Sequence, residues 1–181
     1  MTELKSRHIP VMLGEVLQAL NPQNGEVYVD ATFGNGGYSK AILESANCKV
    51  IAIDRDPTVK TRANEMKNMY GERFDFRAGC FGNFADLVPE KINGAVFDIG
   101  VSSMQFDDAE RGFSFAKEAK LDMRMSCEGI SAQDIVNNYG EKELADLLYQ
   151  YGDERKSRQI AQKIVDYRRH KYIESTTELA E

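Results

Sequence analysis

Residues 27–43, VYVDATFGNGGYSKAIL, constrain the fold more tightly than any other stretch of the chain. They pass from a short apolar, β-branched run through three glycines, Gly34, Gly36 and Gly37, into a run of helix formers. A strand that turns through glycines straight into a helix is the first half of a β-α-β unit. Glycines at that corner serve either a tight turn with close helix packing or a ligand lying against bare backbone. The corner alone leaves both roles open.

The neighbouring segments continue the same alternation. PVMLGEVLQAL (10–20) places Leu13, Val16, Leu17 and Leu20 on one helical stripe, ended by NPQNG. EVYVDA predicts a first strand, SKAILESA a helix and KVIAID a second strand. Asp56 is placed to cap the next helix, with Pro57 in its first turn and Val59, Ala63, Met66 and Tyr70 on its apolar side. RFDFRAG and GAVFDIG predict a third and a fourth strand, and this order implies a parallel sheet. Beyond Gly100 the pattern changes. Residues 101–125 show little periodicity, and helices follow with Leu144, Leu147, Leu148 and Tyr151, then Ile160 and Ile164, inward. A last helix starts at STTELAE, capped by Ser175 or Thr176. The boundary falls near Phe106, giving a sheet lobe over 1–106 and a helical lobe over 107–181.

Composition narrows the function classes. No apolar run approaches the roughly 20 residues of a membrane span, and MTELKSRHIP carries no hydrophobic signal core, so a cytoplasmic protein is expected. Cys48, Cys80 and Cys127 are odd in number and far apart, and His8 and His170 make no ligand spacing. Neither a disulfide framework nor a metal site is expected. The net charge of −6 is uneven: residues 155–172 hold Arg155, Lys156, Arg158, Lys163, Arg168, Arg169 and Lys171 against Asp166 alone. Such a stretch is either a solvated helix face or a contact for phosphates.

Three ligand classes use a strand-glycine-helix corner. A triphosphate loop needs a lysine directly after its last glycine, and Tyr38 stands there. A dinucleotide turn wants a third glycine where Ser39 stands. Asp54, about twenty residues on at the second strand's tip, can accept from both ribose hydroxyls of an adenosine, which suits NAD or S-adenosylmethionine. Phe81, after the third strand, is either an adenine contact or core. Asp30, Asp54 and Asp98 come from three strand ends and are expected to converge. That much negative charge opposes a pyrophosphate and favours S-adenosylmethionine, which carries a sulfonium and an ammonium.

The same residues resemble the RsmH (MraW) methyltransferase family, through HIPVMLGEVL, VDATFGNGGYSKAIL, AIDRDP, DIGVSSMQFDDAERGFSF, LDMRM and YGDERKSRQIAQKIV. The resemblance implies a Rossmann-like, S-adenosylmethionine-dependent α/β methyltransferase domain interrupted by an inserted α-helical domain that helps hold RNA. It implies methylation of a cytidine N4 in 16S small-subunit ribosomal RNA near the decoding centre, in ribosome biogenesis. Carried over, the donor-binding residues are Gly36, Gly37, Tyr38, Asp54, Phe81, Asp98 and Gln105. Tyr38 stands where the family usually has histidine, and Met104 where it usually has proline. Asp98 is the catalytic candidate, as acceptor for the amine proton, with pure donor binding as its other role. Phe113 and Phe115 are placed to stack a flipped base or to join the lobes, and Arg111 and Arg124 to meet phosphate or form ion pairs. The family's sheet has seven strands and only the first four are legible here, so the chain is expected to be a truncated fragment. Its fourth strand would be an open edge, favouring weak donor binding and aggregation or a homodimer. The rivals are a donor- or RNA-binding fragment without turnover and an NAD-binding oxidoreductase.

Overall fold

The computed structural model describes residues 10–181; His8 and the start of the HIPVM motif lie outside them. The chain divides into two compact units, Met1–Met104 and Gln105–Glu181.

The first unit is a parallel sheet with helices packed on it. Its strands are β1 (Val27–Asp30), β2 (Lys49–Asp54), β3 (Phe74–Ala78) and β4 (Gly94–Val96), in spatial order β3-β2-β1-β4. All three pairings are parallel. This matches the first four strands of the Rossmann order, in which β1 feeds connections to both sides of itself and a crevice opens at the carboxyl ends beside it. β2 is flanked by strands on both edges and covered on both faces, which is why VIAI reads as an unbroken apolar run.

Alternation then sorts the side chains. Tyr28, Val50, Ala52 and Phe74 meet α1 (Leu13–Leu20), α2 (Gly37–Ser45) and α3 (Lys60–Tyr70) on one face. Val29, Ile51 and Ile53 meet Val88, Phe84 and Leu87 around α4 (Phe84–Leu87) on the other. Burying a residue such as Ile51 or Ile53 contributes about 1.5–3 kcal/mol each. Asp56 caps as expected, its carboxylate accepting from Thr58 N at 2.9 Å, but the turn it opens is a 3-10 segment, Pro57–Val59, ahead of α3.

The fourth strand is shorter than expected. It stops at Val96, because Asp98 N turns to Thr32 Oγ1 (2.8 Å) and Phe97 packs on Phe81 and Phe84 rather than extending the ladder.

The division falls within α5 (Ser103–Asp107), and the second unit holds α6 (Ala132–Asn138), α7 (Glu141–Gly152), α8 (Ser157–Arg168) and α9 (Thr176–Ala180). Ser175 is the α9 cap, in a reciprocal box with Glu178. Leu121, Val136 and Ile173 form one small core and Leu144, Ala145 and Ala161 another, with Ile164 touching both. Tyr151, expected to face inward, is 86% exposed; it lies at the end of α7, past the leucines that the core covers. Among the described residues no helix is long and apolar enough to cross a membrane.

Candidate functional site

The glycine corner joins β1 to α2 at the carboxyl end of the sheet. Beyond Asp30 the backbone stays tied to both neighbours: Ala31 N donates to Val96 O and Phe33 N to Ile53 O, each at 2.9 Å. Gly36 N then closes the turn on Phe33 O at 2.7 Å. Gly36 sits at φ 75°, and a Cβ there would lie 2.8 Å from the Phe33 ring. A Cβ on Gly37 would lie 2.3 Å from Pro10 Cγ. Both glycines are therefore demanded by the protein's own packing, Phe33 against one and Pro10 against the other.

The three aspartates do different work. Asp30 is fully buried, and its carboxylate accepts from Ser39 Oγ (2.7 Å), Ser39 N (3.1 Å) and Thr32 N (3.3 Å). It fixes the first turn of α2, and the Asp54 charge acts on it. Burial pushes its pKa up to about 6, against the lowering effect of those donors. Asp54, half-buried, accepts from Gly34 N at 2.7 Å and Asp56 N at 2.9 Å. Burial raises its pKa too, opposed by the amides of Asp56, Gly34 and Arg55. Asp98 is exposed, two residues past β4, and its Oδ2 lies 3.3 Å from the Tyr38 hydroxyl. Asp54 and Asp98 thus bracket the corner, one bonded to Gly34 at its entry and the other to Tyr38 at its exit. A cation also reaches it: Arg62 Nε donates to Asn35 O at 3.1 Å, while its Nη1 pairs with Glu65 at 2.9 Å.

Phe81 opens a 3-10 turn after β3 and makes an edge-to-face contact with Phe97 at 5.8 Å. It packs against the Val29–Ile51–Ile53 core while staying part-exposed, so core packing and a ring contact with a ligand are compatible. Thr32 and Phe97 escaped sequence reasoning. Phe97 follows a buried strand and reads as core, and Thr32 matters only through the Asp98 amide it receives. Gln105 is buried on α5 and belongs to the second unit, as counted from the chain's division. Met104 occupies the first turn of the same helix, where a proline is readily accommodated.

The second unit separates engaged cations from unengaged ones. Arg111 is buried, lies over the Phe113 ring at 5.9 Å and donates to the carbonyls of Arg124 and Met125. Arg124 pairs with Asp122 at 2.6 Å, so both arginines have structural work. Phe115 is 73% exposed. Within the basic stretch, Arg168 donates to Val136 O (2.7 Å) and Tyr139 O (2.6 Å) at the end of α6. Arg169 pairs with Asp166, and Lys171 with Glu178. Arg168 is thus engaged within the unit, whereas Arg169 and Lys171 stay exposed in surface ion pairs. Arg155, Lys156, Arg158 and Lys163 are exposed, and among the described residues no carboxylate pairs with them. Arg155 lines an open cavity of about 400 Å³ with Tyr149, Gln150 and Asp153.

Residues 5–181 match the model of the MraW methylase family. The chain is 59% identical over 175 residues to the ribosomal RNA small subunit methyltransferase H of Rickettsia massiliae, covering 96% of this chain and 57% of that protein. The Rickettsia akari protein of the same name is 57% identical over the same shares. The chain therefore spans little more than half the length of these relatives. Among solved structures, it is similar to an rRNA methylase from Streptococcus thermophilus, with 21% identity, a TM-score of 0.41, and coverage of 49% of this chain and 51% of that one. It is also similar to the C-terminal domain of precorrin-6Y C5,15-methyltransferase from Rhodobacter capsulatus, with 20% identity, a TM-score of 0.43, and coverage of 60% and 59%.

Proposed function

The chain belongs to the MraW methylase family, and from that premise we propose that it serves S-adenosylmethionine-dependent methylation of a cytidine N4 in small-subunit ribosomal RNA. The observation that carries the donor reading is the bracketing of the glycine corner by Asp54 and Asp98. When bound, the donor supplies a methyl already activated on a sulfonium. What remains for the protein is alignment and electrostatics.

Asp54 accepts the Gly34 amide on one oxygen and the Asp56 amide on the other, and its half-buried carboxylate is placed to accept from the ribose hydroxyls. Phe81 offers a ring edge to the adenine. Asp98 presents its carboxylate to the cationic end of the donor, and the glycine backbone closes the floor between. Two carboxylates suit a sulfonium and an ammonium and oppose a pyrophosphate, which argues against a nicotinamide dinucleotide. Titration calorimetry tests this: S-adenosylmethionine binds, NADH does not, and Asp54→Asn weakens the donor at least tenfold. Equal binding of NADH would transfer the site to the oxidoreductase reading.

Asp98 supports a second role because it is exposed and only its Oδ2 has a hydrogen-bond partner among the described residues. The other oxygen is available to accept from the cytosine amine as its nitrogen attacks. Asp98→Asn distinguishes the roles. A weaker donor affinity with an unchanged rate at saturation marks donor binding alone, whereas a lower rate at saturation marks the amine contact.

For the RNA, we assign phosphate contact to Arg155, Arg158 and Lys163, with Tyr149, exposed and lining one cavity with Arg155, as a stacking surface. Cations without an internal partner next to an exposed ring suit single-stranded RNA. Reversing the three to glutamate should reduce the slope of log affinity against log salt by about 2. An unchanged slope would return them to a solvated helix face.

A further inference from the structure

The Tyr38 hydroxyl has one proton and two acceptors in reach, Val11 O at 2.6 Å and Asp98 Oδ2 at 3.3 Å. Tyr38, in the first turn of α2, is 6% exposed and packed in the core, so the hydroxyl's position is set by the fold. Burial and the adjacent Asp98 charge both raise the phenol's pKa, which keeps it a donor. Asp98, by contrast, lies outside any strand. Among the described residues its hydrogen bonds are two: its amide to Thr32 Oγ1 at 2.8 Å, and its carboxylate to Tyr38. Thr32 and Tyr38 stand on either side of the glycine corner in sequence, so the loop carrying Asp98 is held from both. The same hydroxyl fastens Val11, whose neighbour Pro10 rests on Gly37.

We propose that Tyr38 is a positioning residue that acts through Asp98, its hydroxyl aiming that carboxylate at the glycine corner while fastening the Pro10–Val11 backbone to the same corner. This rests on the reading of Asp98 as a donor contact, and it assigns the tyrosine's effect to orientation, not to contact with the donor. A histidine at this position keeps a ring and an N–H donor and can take over part of the task.

The test is a double-mutant cycle on the 181-residue chain, read by S-adenosylmethionine titration calorimetry and by amide hydrogen exchange. Tyr38→Phe is expected to weaken donor binding about tenfold and to speed exchange at the Asp98 amide, with β2 amides unchanged. In the Asp98→Ala background, Tyr38→Phe should change affinity less than twofold, because the group it aims is gone. Tyr38→His should recover most of the loss. A further tenfold loss in the Asp98→Ala background would show Tyr38 touching the donor itself and would overturn the proposal, as would an unchanged affinity for Tyr38→Phe alone. Should the wild-type chain bind no donor, the functional reading fails. The exchange rate at Asp98 still decides the positioning, since faster exchange in Tyr38→Phe supports it and an unaltered rate refutes it.

Discussion

Asp30 is an acid used as a building part. Its carboxylate organises the first turn of α2 from a site with no solvent contact, and its pKa stands at about 6 instead of the ordinary 3.8. Between those values the folded chain keeps a proton that the unfolded chain has released, so stability falls as pH rises through that window. Above pH 6 the full cost is present, roughly 3 kcal/mol for two units of displacement. Asp30→Asn should flatten urea stability between pH 4 and 6, while parallel pH curves would show that Asp30 carries no such cost. Gly36 offers a second test at this scale. An alanine there takes a left-handed conformation and meets the Phe33 ring, so Gly36→Ala should destabilise the sheet unit by about 1–3 kcal/mol in urea titration. A variant as stable as the parent would mean the corner is not packed as described.

Among the elements, α6 and the basic helix α8 show what a sequence pattern leaves out. AQDIVNN is short and mostly polar, and its signal is the Ser131–Asp134 capping box, which closes in both directions. α8 was legible as a helix, but the work of its arginines was not. Arg168 looks like its neighbours in sequence, yet it reaches carbonyls about thirty residues back, and only the folded chain brings those together. Arg168→Ala should cost about 2–3 kcal/mol of the helical unit's stability, since two charge-assisted hydrogen bonds are lost. Arg158→Ala should stay within about 0.5 kcal/mol. Equal effects in thermal or urea unfolding would erase the distinction between engaged and unengaged cations. β4 makes the same point for the sheet. Its outer side pairs with no strand among the described residues, and Ile99 beside it is 76% exposed. Such an edge invites pairing with another chain. Sedimentation should show larger species as concentration rises, reduced by Ile99→Lys; a monomer at every concentration would contradict this.

For the molecule as a whole, the strands and their parallel order were legible because buried parallel strands write themselves as apolar runs broken by glycine and aspartate. The glycine corner was legible in part. Asp54 ends β2 as expected, whereas Asp98 stands two residues past β4, and the structure bonds them to opposite ends of one turn. Asp30 looked the same in sequence and proved to bond the first turn of α2, because it pairs in register with Ala52 and Val96 and so lies two residues short of Asp54 and Asp98 along the sheet. The family match covers residues 5–181, and the account of function extends it through that corner. The most direct test is donor titration of the wild-type chain beside Asp54→Asn and Asp30→Asn. The account predicts that S-adenosylmethionine binds the wild type, that Asp54→Asn loses at least tenfold in affinity, and that Asp30→Asn at pH 7 loses less than threefold. Undiminished binding by Asp54→Asn would contradict it.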